Sequence, residues 1–222
     1  MTEHQPRLDQ VSLWDLIKED HRTHYSDWTR PGFRAMAVYR FGHWALRRRS
    51  YTLKLVLSVI HRTAFRFVRN VYGIEIRPTA TVGRRFHIGH QGAIVVHAHA
   101  VIGDDCLIRQ GATLGIGGLE RGTDFEESGP IIGNRVDIGA GAMIVGRLTI
   151  GDDVNIGPNA VVLVNVPSNS TVLPPPARIL PRPPQNAALQ TSTATTAGAI
   201  SAAILSSGFF LRATDYLPGI YA

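Results

Sequence analysis

Of the nine histidines in this 222-residue chain, His90 has the setting best suited to moving a proton. It lies in Gly89-His90-Gln91-Gly92, where two extra residues interrupt an otherwise regular apolar pattern. An insertion at such a point pushes a turn outward. If residues about 18 apart stack on one another, residue 75 lies under roughly residue 93. That arithmetic brings Glu75 within a few residues, laterally, of His90. A neutral imidazole held by a carboxylate is the usual design of a general base, because the carboxylate selects the tautomer and stabilises the imidazolium. The competing reading is an ordinary histidine in a surface turn.

Two other constellations invite chemistry. His87, His90, His97 and His99 raise a zinc reading, but their spacing matches no familiar finger and no thiolates accompany them, so no metal is expected. Cys106, the one cysteine, falls at a small inward position of the apolar pattern and reads as a buried inert thiol, not a nucleophile. A second interruption spans residues 115–131. Positions 120 and 126, where the pattern calls for apolar residues, are Glu120 and Glu126. The base of this excursion, Gly115-Ile116-Gly117-Gly118, permits close backbone approach to a ligand. Its tip, from Glu120 to Pro130, is polar, and long loops of this kind are commonly functional.

The element that must position these groups is legible as a six-residue beat. Ile76, Val82 and Ile88 are six apart, and after the slip the beat resumes at Val96, Ile102, Ile108 and Leu114. A second run follows at Ile132, Ile138, Ile144, Ile150, Ile156 and Val162, and glycine often follows the apolar residue. A fixed short period of this kind is the signature of a parallel β-helix. Three hexapeptides make one triangular coil of about 18 residues, and coils stack at roughly 4.8 Å. The predicted β-helix domain covers residues 73–180, with Pro174-Pro175-Pro176 ending the ladder.

Residues 1–72 read as a small helical domain. Ser12 caps a first helix, Arg30-Pro31-Gly32 breaks the chain, and helices follow from Phe33 to about Arg48 and from Tyr51 to about Val71. These helices are expected to cap one open end of the β-helix, which otherwise exposes unpaired backbone. Residues 1–10 and 181–222 read as tails. The net charge of +6 is concentrated in residues 1–70, which hold 13 Lys/Arg against 6 Asp/Glu. That basic front is a solvated face or a contact for an anionic membrane surface. No nucleic-acid motif accompanies it. The single cysteine fits a reducing compartment, and the expected location is the cytoplasm, at or near the inner face of the membrane.

With these residues in place the chain resembles the left-handed β-helix acyltransferases of the hexapeptide-repeat superfamily. The stretch from Met36 to Leu180 is similar to the serine acetyltransferases within it. Tyr39-Arg40-Phe41-Gly42-His43-Trp44 is similar to that family's helical motif. Ile74-Glu75-Ile76-Arg77-Pro78 is similar to its first strand, whose acidic residue partners the catalytic histidine, and His90 falls where that histidine lies. The resemblance implies a mainly β fold, an acetyl-CoA-dependent O-acetyltransferase and a homotrimer with sites between neighbouring coils. It also implies cofactor-binding residues: Gly115, Gly117, Ala140, Pro158 and Arg178.

Departures from the family direct the acceptor reading. The loop carries Ser128-Gly129-Pro130 in place of an Arg-His-Pro sequence, and Gly89 stands where an acidic residue would hold the serine amine. Gly83 to Phe86 and Tyr72 to Glu75 look more like colanic-acid-type exopolysaccharide acetyltransferases. On these grounds the expected acceptor is a saccharide hydroxyl of an exopolysaccharide or its precursor. A serine O-acetyltransferase of cysteine biosynthesis and a non-catalytic β-helix scaffold are the alternatives.

Overall fold

The protein is described from a computed structural model covering residues 11–117 and 129–181. The chain divides into one unit ending at Pro175 and a second from Pro176. The expected tails at 1–10 and beyond Pro181, and the tip of the 115–131 excursion, lie outside the described residues.

Three helices come first. Helix α1 (Leu13–Thr23) begins where Ser12 Oγ accepts from the Asp15 amide. Helix α2 (Pro31–Leu46) starts at the Arg30-Pro31-Gly32 segment read above as a break; proline suits the first helical position because its missing N–H has no partner there anyway. Helix α3 (Tyr51–Phe67) runs into a π-helical turn at Val68–Tyr72, and Gly73, with φ of 65°, turns the chain into the solenoid. Gly42 lets α2 and α3 approach closely: a Cβ there would collide with the His61 ring.

Fourteen short strands follow among the described residues and form three parallel faces. The first face stacks β1 (Ile74–Ile76), β4 (Ile94–Val96), β7 (Thr113–Gly115), β10 (Met143–Val145) and β13 (Val161–Val162). The second stacks β2 (Thr81–Val82), β5 (Val101–Ile102), β8 (Ile131–Ile132) and β11 (Thr149–Ile150). The third stacks β3 (His87–Ile88), β6 (Leu107–Ile108), β9 (Asp137–Ile138), β12 (Asn155–Ile156) and β14 (Thr171–Val172). This is a mainly β, left-handed-type parallel β-helix with a small helical front.

The beat becomes the core. Ile102, Ile108, Leu114, Ile132, Ile138, Ile144, Ile150 and Ile156 are all fully buried, each contributing about 1.5–3 kcal/mol relative to exposure. At one corner the coils are tied by side chain-to-backbone bonds. Arg84 N–H donates to Asp104 Oδ1, Asp104 N–H to Asn134 Oδ1, and Asn134 N–H to Asp152 Oδ1, at 2.7–2.9 Å.

The first coil has an open edge, and α1 and α2 replace the missing strand. Tyr39 Oη donates to Ala80 O and accepts from Val82 N–H. Arg40 donates to Val82 O at 2.7 Å and Gly83 O at 2.6 Å, and His24 Nε2 accepts from Ile88 N–H at 3.1 Å. Asp20, almost fully buried, holds the Arg40 Nε at 2.8 Å.

Three inward histidines make this front sensitive to acid. Burial lowers the pKa of His24 and His61 below the ordinary 6.5 and pushes His87 down to about 4, with His24 adding to the last shift. On acidification the unfolded chain therefore binds protons that the folded chain refuses, so stability is lost as pH falls from about 6.5 toward 4. The midpoint of urea unfolding is expected to fall between pH 7 and pH 5. An unchanged or higher midpoint at pH 5 would contradict this account.

Candidate active site

His90 sits in the corner that carries the chain from β3 on the third face to β4 on the first. The two inserted residues build that corner through Gly92, at φ of 111°, and Ala93, at φ of 51°. The His90 side chain is exposed and lines a cleft of about 280 Å³ with Arg30, Pro31, Gly32, Gly89 and Gln91. The start of α2 forms the opposite wall. Gly32 makes that possible, because a Cβ there would stand 2.7 Å from Ile88 O. Behind the cleft, His24 Nδ1 donates to Asp20 O at 2.7 Å while its Nε2 receives the Ile88 amide. Both ring nitrogens are thus committed, which fixes a neutral tautomer and anchors the strand end two residues before His90.

Glu75 is placed differently from the arithmetic above. The insertion lengthens the first coil, so Ile74 pairs with Ile94 and Glu75 lies beneath Val95 instead of residue 93. Its carboxylate accepts from Arg77 Nε at 2.9 Å, and among the described residues no hydrogen bond joins it to His90. Later coils return to the 18-residue step, as in Val95 with Thr113 and Ile131 with Thr149.

The expected cofactor residues fall on two edges. Ala140 and Pro158 occupy the same corner as His90, two and three coils further on. That corner is stacked through Gly111 N–H to Gly92 O, Gly141 N–H to Gln110 O and Asn159 N–H to Ala140 O, at 2.8–2.9 Å. At the ordinary spacing His90 and Ala140 are roughly 10 Å apart along the axis. Gly115 ends β7 and Gly117 follows it, at the opposite edge of the first face, where Gly115 O accepts from Gly146 N–H. The chain therefore sets the histidine and the glycine pair on opposite edges of one face. Arg178 is exposed and belongs to the unit that begins at Pro176.

Cys106 is structural. Cys106 Sγ donates to Gly133 O at 3.1 Å, and burial pushes its thiol up to about 12, so it stays protonated at neutral pH. The His87 ring lies 5.0 Å from His24 and 5.5 Å from Tyr25, whereas His97 and His99 pair with each other at 5.6 Å. Among the described residues no group of three or more metal-binding side chains converges.

Sequence reasoning missed Arg30, which it had read only as part of a chain break. The structure brings Arg30 to the wall of the His90 cleft. Its Nε is buried without a hydrogen bond, the nearest carboxylate oxygen being Asp27 Oδ2 at 3.8 Å, and its guanidinium lies over the Tyr25 ring at 4.5 Å. The usable signal was its position just before Pro31, at the mouth of a helix.

The family model described as bacterial transferase hexapeptide (six repeats) matches residues 129–163. A serine acetyltransferase of Helicobacter pylori is 41% identical over 143 residues, covering 64% of this chain and 77% of that protein. One of Synechococcus elongatus is 39% identical over 152 residues, covering 68% of this chain and 58% of that protein. The crystal structure of the Brucella abortus serine acetyltransferase in complex with coenzyme A superimposes with a TM-score of 0.63 at 28% identity, over 80% of this chain and 71% of that one. The chain thus spans between about half and three quarters of the length of these relatives.

These likenesses correct the expectation of a saccharide acceptor and of a colanic-acid-type enzyme. The relatives at about 40% identity are serine acetyltransferases. The expectation had read missing loop groups as a missing site, yet Arg30 shows that the helical front also supplies charge beside His90. On the identity shared along more than three quarters of the Helicobacter protein, the chain belongs to the serine acetyltransferase family of hexapeptide-repeat transferases.

Proposed function

We propose that this protein transfers the acetyl group of acetyl-CoA to the hydroxyl of L-serine. The observation that carries this reading is an exposed histidine, His90, at the mouth of a cleft with a cationic wall, in a chain 41% identical to a serine acetyltransferase over 143 residues. His90 takes the proton from the serine hydroxyl as that oxygen attacks the thioester carbon. The carbon–sulfur bond breaks, and the imidazolium returns the proton to the departing thiolate. No covalent enzyme intermediate is needed, in keeping with the protonated, buried thiol of Cys106. Backbone N–H groups near Gly115 and Gly117 are assigned to the oxyanion. Ala140 and Pro158 are assigned to the coenzyme. Glu75 is assigned a positioning role on the first face, shared with its partner Arg77.

We propose a homotrimer, in which the placement of His90 and Gly115–Gly117 on opposite edges of one face lets neighbouring copies share a site. In a ring of head-to-tail contacts, the His90 corner of one copy meets the glycine edge of the next. The outward apolar side chains Val95, Met143 and Val161 on the first face support such a contact. The direct test is mass-spectrometric identification of O-acetyl-L-serine formed in step with free coenzyme A. Coenzyme A release without that product would overturn the reading.

Arg30 is assigned to the serine carboxylate. A charge-assisted hydrogen bond is worth about 1.5–3 kcal/mol, so Arg30→Leu is expected to raise the KM for L-serine roughly 10–100-fold. The kcat and the KM for acetyl-CoA should change by less than about threefold. An unchanged serine KM would remove Arg30 from the site.

A further inference from the structure

Helix α3 presents an apolar stripe to solvent. Leu53, Val56, Ile60, Phe67 and Val71, spaced three, four, seven and four residues apart, are each 46–58% exposed. This spacing puts them on one side of a helix. Beside them an apolar groove of about 740 Å³ runs between α2 and α3, with Val38, Val59, Phe67 and Val68 in its walls and Arg34 at its rim. A patch of this kind on a folded surface needs a partner.

The charge around the stripe identifies that partner. No aspartate or glutamate occurs between Asp27 and Glu75, while ten arginines and lysines do. Arg62 and Arg66 on α3, in line with the exposed Leu55 and Val59 that widen the stripe on one flank, and Arg69 in the turn after it are exposed, and among the described residues none of them has an acidic partner. Packing this face against the same face of a second copy would bring two unneutralised cationic rows together, which costs energy. An anionic lipid surface satisfies both features at once. The apolar stripe, with Leu55 and Val59, enters the acyl boundary, and the arginines on that flank reach the phosphates with their guanidinium groups. Among the described residues no helix is long and apolar enough to cross a membrane.

We infer that the α3 face docks this protein on anionic phospholipid membranes. The inference is independent of which hydroxyl the enzyme acetylates. The test is co-sedimentation of the full chain with vesicles of phosphatidylethanolamine containing 30% phosphatidylglycerol, against vesicles of phosphatidylcholine alone. Binding to the anionic vesicles is expected, weakened at least tenfold on neutral vesicles and in about 0.5 M salt. The variant R62Q/R66Q/R69Q is expected to bind at least tenfold more weakly, and so is V56S/I60S. Both should retain the parent circular dichroism and L-serine-dependent rate, which separates a lost docking face from a lost fold. Absence of binding to the anionic vesicles would overturn the inference. Equal binding to both vesicle types would also overturn it, as would a V56S/I60S variant that keeps its vesicle binding but loses self-association. The last result would mark the face as a contact between copies.

Discussion

Replacing His90 with alanine is expected to lower L-serine-dependent turnover by roughly 10²–10⁴-fold, the range a positioned general base supplies. The fold should be unaffected, because the side chain is exposed and makes no hydrogen bond among the described residues. An exposed substitution of this kind changes stability by about 0.5 kcal/mol or less. The KM for L-serine should shift much less than kcat, since the base acts mainly in the transition state. His90→Gln keeps a polar side chain of similar reach without a titrating ring and should be as impaired as alanine. Stopped-assay rates and urea unfolding on the same preparations separate the two effects. A variant within threefold of the parent rate would exclude His90 as the base.

Replacing Arg40 with methionine should have the largest effect on stability. Arg40 and Asp20 side chains are each about 1% exposed. Burial pushes the Asp20 carboxyl up against the pull of Arg40, so Asp20 depends on that cation to stay ionised. The substitution strands the carboxylate and removes the donors to Val82 O and Gly83 O on the open edge of the first coil. Breaking one side of a buried pair costs about 3–5 kcal/mol, a large part of the roughly 5–15 kcal/mol that holds a domain together. Adding Asp20→Leu to Arg40→Met should recover part of the loss, because the stranded charge is gone while the two carbonyls stay unpaired. Urea unfolding followed by circular dichroism measures both. A single-variant loss below about 1 kcal/mol would show that Tyr39 and His24 suffice to cap the edge.

The same arginine shows how far the sequence could be read. Tyr39-Arg40-Phe41-Gly42-His43-Trp44 was visible as a family motif, and an end-capping role for the helices was expected. What the motif does physically, supplying hydroxyl and guanidinium donors where a strand is missing, needed the three-dimensional edge of β1, β2 and β3. The inward positions were legible because every sixth residue meets the same axis, so Ile102 or Ile144 needed no further information. The outward groups were less legible. Glu75 was misplaced by two residues because the coil step was taken as 18 where the His90 insertion makes it longer. Arg30 was invisible as a site residue because its distance from His90 depends on how α2 docks, and a local pattern carries no such information. The acceptor was misread for the same reason: groups missing from the loop were counted, and groups arriving from another element were not.

The central claim is acyl transfer to serine by His90, and it is tested most directly by initial rates of thiol release from acetyl-CoA as L-serine is varied. The account predicts a rate that saturates with L-serine, vanishes without it and is lost in the His90→Ala protein assayed in parallel. Release that ignores L-serine, or that survives the loss of His90, would contradict it.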